Sequence, residues 1–165
     1  MIQLANLYKQ EVQDGFRRSL TDPRCQHLNT TAGGWSNVEI DFAPSTWNLL
    51  QVVSVGSCPD QPLGYLQATL DRAVGIVTEV MALRFTAKPD KTWSADMRTF
   101  LRSLLTDHGF RKVRWSALAE NPACQVWDRL AAELGGGRVA LYREEVKRGH
   151  GWADLVVWEV RAQPF

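Results

Sequence analysis

Three apolar, β-branched runs joined by short connectors constrain this chain more than any other feature. Residues 47–55, 64–70 and 76–85 have the length and composition of strands, and only residues 56–63 and 71–75 separate them. The first connector contains Ser57-Cys58-Pro59-Asp60-Gln61-Pro62, a turn-rich stretch. Connectors this short join antiparallel neighbours, because a parallel return needs a crossover of a dozen or more residues. Beyond Phe85 the hydrophobic period changes. Residues 87–93 read as loop, and Met97, Phe100, Leu101, Leu104 and Leu105 then recur at helical spacing, with Ser94 as the expected cap and Gly109 as the stop. Val113, Trp115 and Ala117 alternate again as a strand. A strand–loop–helix–strand unit of roughly 40 residues has the size of a βαβ unit, so its two strands are expected to run parallel.

The flanking segments complete the pattern. Leu4, Leu7, Tyr8, Val12, Phe16 and Leu20 predict an amphipathic helix over residues 3–20, stopped by Thr21-Asp22-Pro23. That helix packs on the core or offers its stripe to a partner protein. Residues 24–37, with Gly33-Gly34, read as loop, and Val38, Ile40 and Phe42 as a short strand closed by Pro44. Asn121-Pro122 opens a helix with Val126, Trp127, Leu130 and Leu134 on its apolar face, and Gly135-Gly136-Gly137 ends it. Residues 139–146 and 152–160 form a closing hairpin around Arg148-Gly149-His150-Gly151. The expected fold class is α/β: a mixed sheet of six to seven strands, mostly antiparallel with one parallel βαβ unit, and helices on both faces. One domain spans residues 1–165, with 1–45 as an N-terminal extension and 46–162 as the core.

Composition removes several functional classes. The 19 basic and 18 acidic residues give a net charge of +1, which offers no electrostatic case for nucleic acid or an anionic membrane surface. No run of 18 apolar residues suggests a membrane span, and no secretory signal is visible, so a cytoplasmic setting is expected. The three cysteines, Cys25, Cys58 and Cys124, are widely spaced and form no CxxC or Cys/His ligand pattern, so no metal is expected. Cys124 as a nucleophile finds no matching Cys–His arrangement with His108 or His150.

The order of elements from residue 47 to 160 resembles the GNAT superfamily of acetyl-CoA-dependent N-acetyltransferases. Glu79-Val80-Met81-Ala82-Leu83-Arg84-Phe85 is similar to that family's fourth strand, Asn121 to an asparagine near the start of its last helix, and Gly151-Trp152-Ala153-Asp154-Leu155-Val156-Val157-Trp158-Glu159-Val160 to the ending of the ribosomal-protein N-acetyltransferase branch. The resemblance implies that the fourth and fifth strands splay and that acetyl-CoA lies in the gap. Met81, Ala82 and Leu83 would then contact the pantetheine, and Lys88, Lys91, Thr92, Ser94, Ala95 and Asn121 would form the remaining cofactor contacts. It also implies a primary amine on a protein or small molecule as acceptor, with Glu79 as general base. The bland readings are a solvated Glu79 and an Asn121 that caps a helix.

The chain departs from the family at the phosphate loop, which reads Gln/Arg-x-x-Gly-x-Gly/Ala. No glycine lies between Gly75 and Gly109; the motif falls on Lys88–Trp93 in one register and on Asp90–Ala95 in the other, and Trp93 obstructs either. The tyrosine position that protonates the leaving thiolate holds Asp128, and the chain opens with a helix rather than a strand. These departures, with a likeness to small internal virion proteins of T7-like phages around Asn121 and the closing hairpin, support an alternative: a catalytically inactive GNAT-fold structural or interaction protein, such as a virion component.

Overall fold

The computed structural model describes residues 1–22, 47–56, 62–85, 90–148 and 151–162. The strand expected at 38–42, Cys25, Cys58, Lys88 and His150 lie outside the described residues. The described elements run β1 (Ile2–Leu4), α1 (Lys9–Thr21), β2 (Leu49–Val55), β3 (Pro62–Asp71), β4 (Ile76–Arg84), α2 (Lys91–Thr106), β5 (Lys112–Leu118), α3 (Cys124–Glu133), β6 (Gly137–Arg148) and β7 (Gly151–Arg161). The seven strands form one sheet in the order β1-β2-β3-β4-β5-β7-β6. Each neighbouring pair is antiparallel except β4 and β5, which are parallel around α2, as the change of hydrophobic period predicts.

The N-terminus corrects the sequence reading. The helix expected over 3–20 begins later: Ile2–Leu4 is a strand paired with Ser54–Val52, Ala5–Tyr8 is a 3-10 turn, and the α-helix starts at Lys9. Leu4 and Leu7, assigned to the apolar stripe, are exposed, because sheet pairing and the tight turn rotate them off the helix face. The chain therefore does open with a strand. Val12 and Phe16 keep their place and are fully buried against Tyr65, Leu83 and Phe85. This part of the stripe, Val12 and Phe16, faces the sheet.

Alternation along the strands divides the core in two. One layer, under α1, contains Val53, Val55, Tyr65, Leu83 and Phe85. The larger layer, under α2 and α3, is built on Leu66, Val80, Phe100, Leu101 and Leu104 and on three indoles, Trp115, Trp127 and Trp158. Helices thus cover both faces. No helix among the described residues is long and apolar enough to cross a membrane.

Candidate active site

The fold opens at one place. β4 and β5 pair only at Ile76–Lys112 and Val77–Val113, although β4 runs for nine residues. The cause lies in β4 itself. Leu70 pairs with Val77 but Thr69 pairs with Glu79, so Thr78 is an extra residue, a β-bulge where contact with β5 ends. A bulge bends its strand and increases its twist. β5 keeps its other neighbour throughout, pairing with β7 from Lys112 to Leu118. The result is a wedge between two parallel strands.

Hydrogen-bond phase identifies which β4 groups face the wedge. The Phe85 N–H donates to the Leu63 carbonyl at 3.0 Å, so Phe85, Leu83 and Met81 direct their main-chain groups at β3. Alternation then turns the N–H and C=O of Ala82 and Arg84 toward the opening. The side chains of Ala82 and Arg84 line a cleft there of about 70 Å³, closed by Trp93 and Met97 from α2 and by Asn121 and Trp127 from the start of α3. Trp93 is 6% exposed and packs against Gly64, where an added Cβ would stand 2.5 Å from the indole. Gly64 is the sequence feature that admits this ring.

The start of α2 corrects a second expectation. The cap is Asp90, not Ser94, and Lys91, Thr92, Ser94 and Ala95 form the first helical turn instead of a loop. One Asp90 carboxylate oxygen accepts from the main-chain N–H groups of Thr92 (2.6 Å) and Trp93 (3.3 Å). These are the orphan amides that bind anions at helix starts, and here they already hold a carboxylate. Replacing Asp90 with alanine is expected to cost about 1 kcal/mol, read as a lowered urea midpoint with unchanged slope. An unchanged midpoint would show that the cap contributes nothing.

Of the residues assigned from sequence, the structure gathers Ala82, Ser94 and Asn121 on the cleft. Asn121 is buried and its side-chain oxygen accepts from the Ala123 N–H at 2.9 Å, the capping role. Met81 and Leu83 turn toward α1, and Glu79, in phase with them, is exposed on that face. Arg84, Met97 and Trp127 are cleft residues that motif matching missed, and Trp93 lines the cleft where the motif already marks it as an obstruction; hydrophobic periodicity marks Met97 and Trp127 as inward-facing. Among the described residues no group of three His, Cys, Asp or Glu side chains could hold a metal.

No protein-family model matches the chain, and no curated protein matches it in sequence. Solved structures do. Spermidine/spermine N-acetyltransferase SpeG from Vibrio cholerae superposes with a TM-score of 0.61 at 12% identity, covering 70% of this chain and 66% of that one. A GNAT-family acetyltransferase from Bacillus anthracis gives 0.56 at 11% identity over 69% and 67%. A protein described as a probable acetyltransferase gives 0.56 at 14% identity, and there this chain covers 63% of the neighbour's length. The fold is that of the GNAT acetyltransferases.

Within that GNAT fold the position expected for a thiolate-protonating acid is occupied differently. The Arg138 guanidinium donates twice to Asp128, at 2.6 and 2.7 Å, and the Trp158 indole N–H adds a bond at 2.9 Å. Arg138 chiefly holds the Asp128 carboxyl below the usual carboxylate range, which keeps it ionised. Cys124 is buried with its thiol on the Leu118 carbonyl, and burial pushes its pKa up, which opposes a nucleophilic role.

Proposed function

We propose that this chain is an acetyl-CoA-dependent N-acetyltransferase acting on a primary amine. The observation that carries this reading is the wedge, where β4 parts from β5 after two residue pairs and leaves the Ala82 and Arg84 main chain facing the opening. Those groups suit the amide-rich pantetheine arm, which would add to β4 as an extra strand does. Acetyl-CoA supplies an acetyl thioester when bound. Glu79 lies on the open, α1-side face of β4 and is the general-base candidate, accepting the ammonium proton directly or through one water. Asn121 orients the start of α3 at the cleft. Acceptors to test are spermidine, on which SpeG is named, a free peptide N-terminus, as the likeness to the ribosomal-protein branch implies, and a lysine side chain.

The fit is incomplete at the phosphate end, where Asp90 fills the α2 amides and Trp93 narrows the cleft. That observation favours a second reading, a GNAT-fold protein without catalysis. Titration with acetyl-CoA separates the two. At about 100 times its dissociation constant a ligand stabilises by about 2.7 kcal/mol. The N-acetyltransferase reading expects such a thermal shift, together with turnover that Glu79→Gln lowers about 100-fold or more without weakening cofactor binding. No shift at millimolar acetyl-CoA overturns it; binding with full activity in Glu79→Gln removes Glu79 from the mechanism.

A further inference from the structure

The cleft does not end at Trp93. At Ser94, Met97 and Val126 it adjoins a second space of about 210 Å³ between α2 and α3. Met97, Val126 and Leu130 give this space apolar walls, and its charged groups are Arg98, Arg129 and Glu133. Arg98 crosses from α2 to Glu133 on α3, with Nε to Oε2 at 2.7 Å and Nη2 to Oε1 at 3.4 Å. Both side chains are nearly half exposed, so water screens this pair and it exchanges readily for another anion. Arg129 donates to its own helix at Gln125, at 3.4 Å, and has no carboxylate partner among the described residues. The second space therefore holds two guanidinium groups against one carboxylate, with an apolar wall beside them. The main-chain anion site next door is filled by Asp90.

We infer that this protein holds the phosphate-bearing end of its acyl carrier with Arg129 and Arg98 in the α2–α3 cleft, and not with the amides at the start of α2. The inference rests on the N-acetyltransferase reading and adds the residues that take the phosphates. Guanidinium groups match phosphate oxygens in bidentate geometry, and the apolar wall suits the purine ring. Glu133 is then an internal competitor that the incoming phosphate displaces from Arg98.

The test compares acetyl-CoA with S-acetylpantetheine, which has the thioester arm and no phosphate. Dissociation constants are measured by calorimetry for the unmodified chain and for Arg98→Gln/Arg129→Gln, Glu133→Gln and Asp90→Ala. Each variant's thermal melt checks that it is folded. Charge-assisted hydrogen bonds lost from both arginines weaken acetyl-CoA by about 10- to 100-fold or more. S-acetylpantetheine is unaffected, and Glu133→Gln tightens acetyl-CoA a few-fold. Raising salt from about 0.05 M to about 0.5 M weakens acetyl-CoA alone, as expected for exposed charges. Unchanged acetyl-CoA affinity in the double variant overturns the inference and leaves the N-acetyltransferase reading standing. So does a tenfold or greater tightening in Asp90→Ala, which would return the phosphates to the α2 amides. If the unmodified chain binds neither compound, both proposals fall together.

Discussion

Trp158→Ala is expected to remove about 4 kcal/mol of unfolding free energy, the range for deleting a fully buried large aromatic side chain. Trp158 is 0% exposed at the centre of three indoles: it stacks on Trp115 at 6.4 Å and 8° and meets Trp127 at 6.5 Å. Its N–H satisfies Asp128, and the Arg138 guanidinium lies 5.7 Å over its ring. The substitution therefore leaves a cavity, removes an aromatic pair and loosens a charged pair at once. The consequence reaches the wedge. β5 has lost β4 beyond Val113, so its remaining sheet partner is β7, and Trp115 on Trp158 fixes that junction from the α2–α3 face. In a domain holding roughly 5–15 kcal/mol, such a loss is a large fraction of the total. Urea denaturation gives the measurement, and a cost under about 2 kcal/mol would show that the three-indole cluster is not what holds β5. Trp158→Phe, which keeps most of the packing and loses the N–H, is expected to cost less than half as much.

Much of this architecture was written in hydrophobic periodicity. The three antiparallel strands, the parallel return through α2 and the closing hairpin follow from where period two gives way to period 3.6. The parts that could not be read this way depend on partners distant in sequence. Leu4 and Leu7 fit a helical stripe perfectly well, but pairing of Leu4 with Val52 decided their conformation. The bulge at Thr78 leaves no compositional trace, because an extra residue is defined only by its opposite strand. At the site, Ala82 and Asn121 were placed by resemblance. The resemblance groups Met81 and Leu83 with Ala82 because a motif does not report hydrogen-bond phase, which the Phe85–Leu63 bond sets. Trp93 looked like an obstruction in a loop; in the fold it is a helical residue buried against Gly64, a contact spanning 29 positions that local sequence does not encode. The Asp90 cap was legible in principle, since aspartate two and three residues before available amides is a strong helix start. The apolar period begins only at Met97 and so points to Ser94 instead.

The second large effect is expected from acid. Glu159 is 4% exposed and lies on the sheet face opposite the indoles. It is ringed by Arg114 (2.7 Å), Arg161 (2.8 Å) and Lys112 (3.2 Å). Burial alone would raise its pKa, but hydrogen bonds from Arg114, Arg161 and Lys112 outweigh that and bring it from 4.5 to about 2. Because the folded value lies below the unfolded one, the stabilisation is fully present above pH 4.5 and is lost as pH falls toward 2. The gap corresponds to about 3 kcal/mol, an upper value because water screens Arg114 and Arg161. The register explains why the carboxylate is there. Arg114 lies directly opposite Glu159, and Lys112 directly opposite Arg161, a like-charge pair that Glu159 neutralises. Lys112 is also the residue at which β5 meets Ile76 of β4, so the cluster ties the apex of the wedge. Glu159→Gln is accordingly expected to lower stability by about 2–3 kcal/mol at neutral pH and to flatten the stability profile between pH 4.5 and about 2. Urea midpoints collected across that window check both. A variant that keeps the full acid dependence would assign it to other carboxylates and free the wedge apex from Glu159.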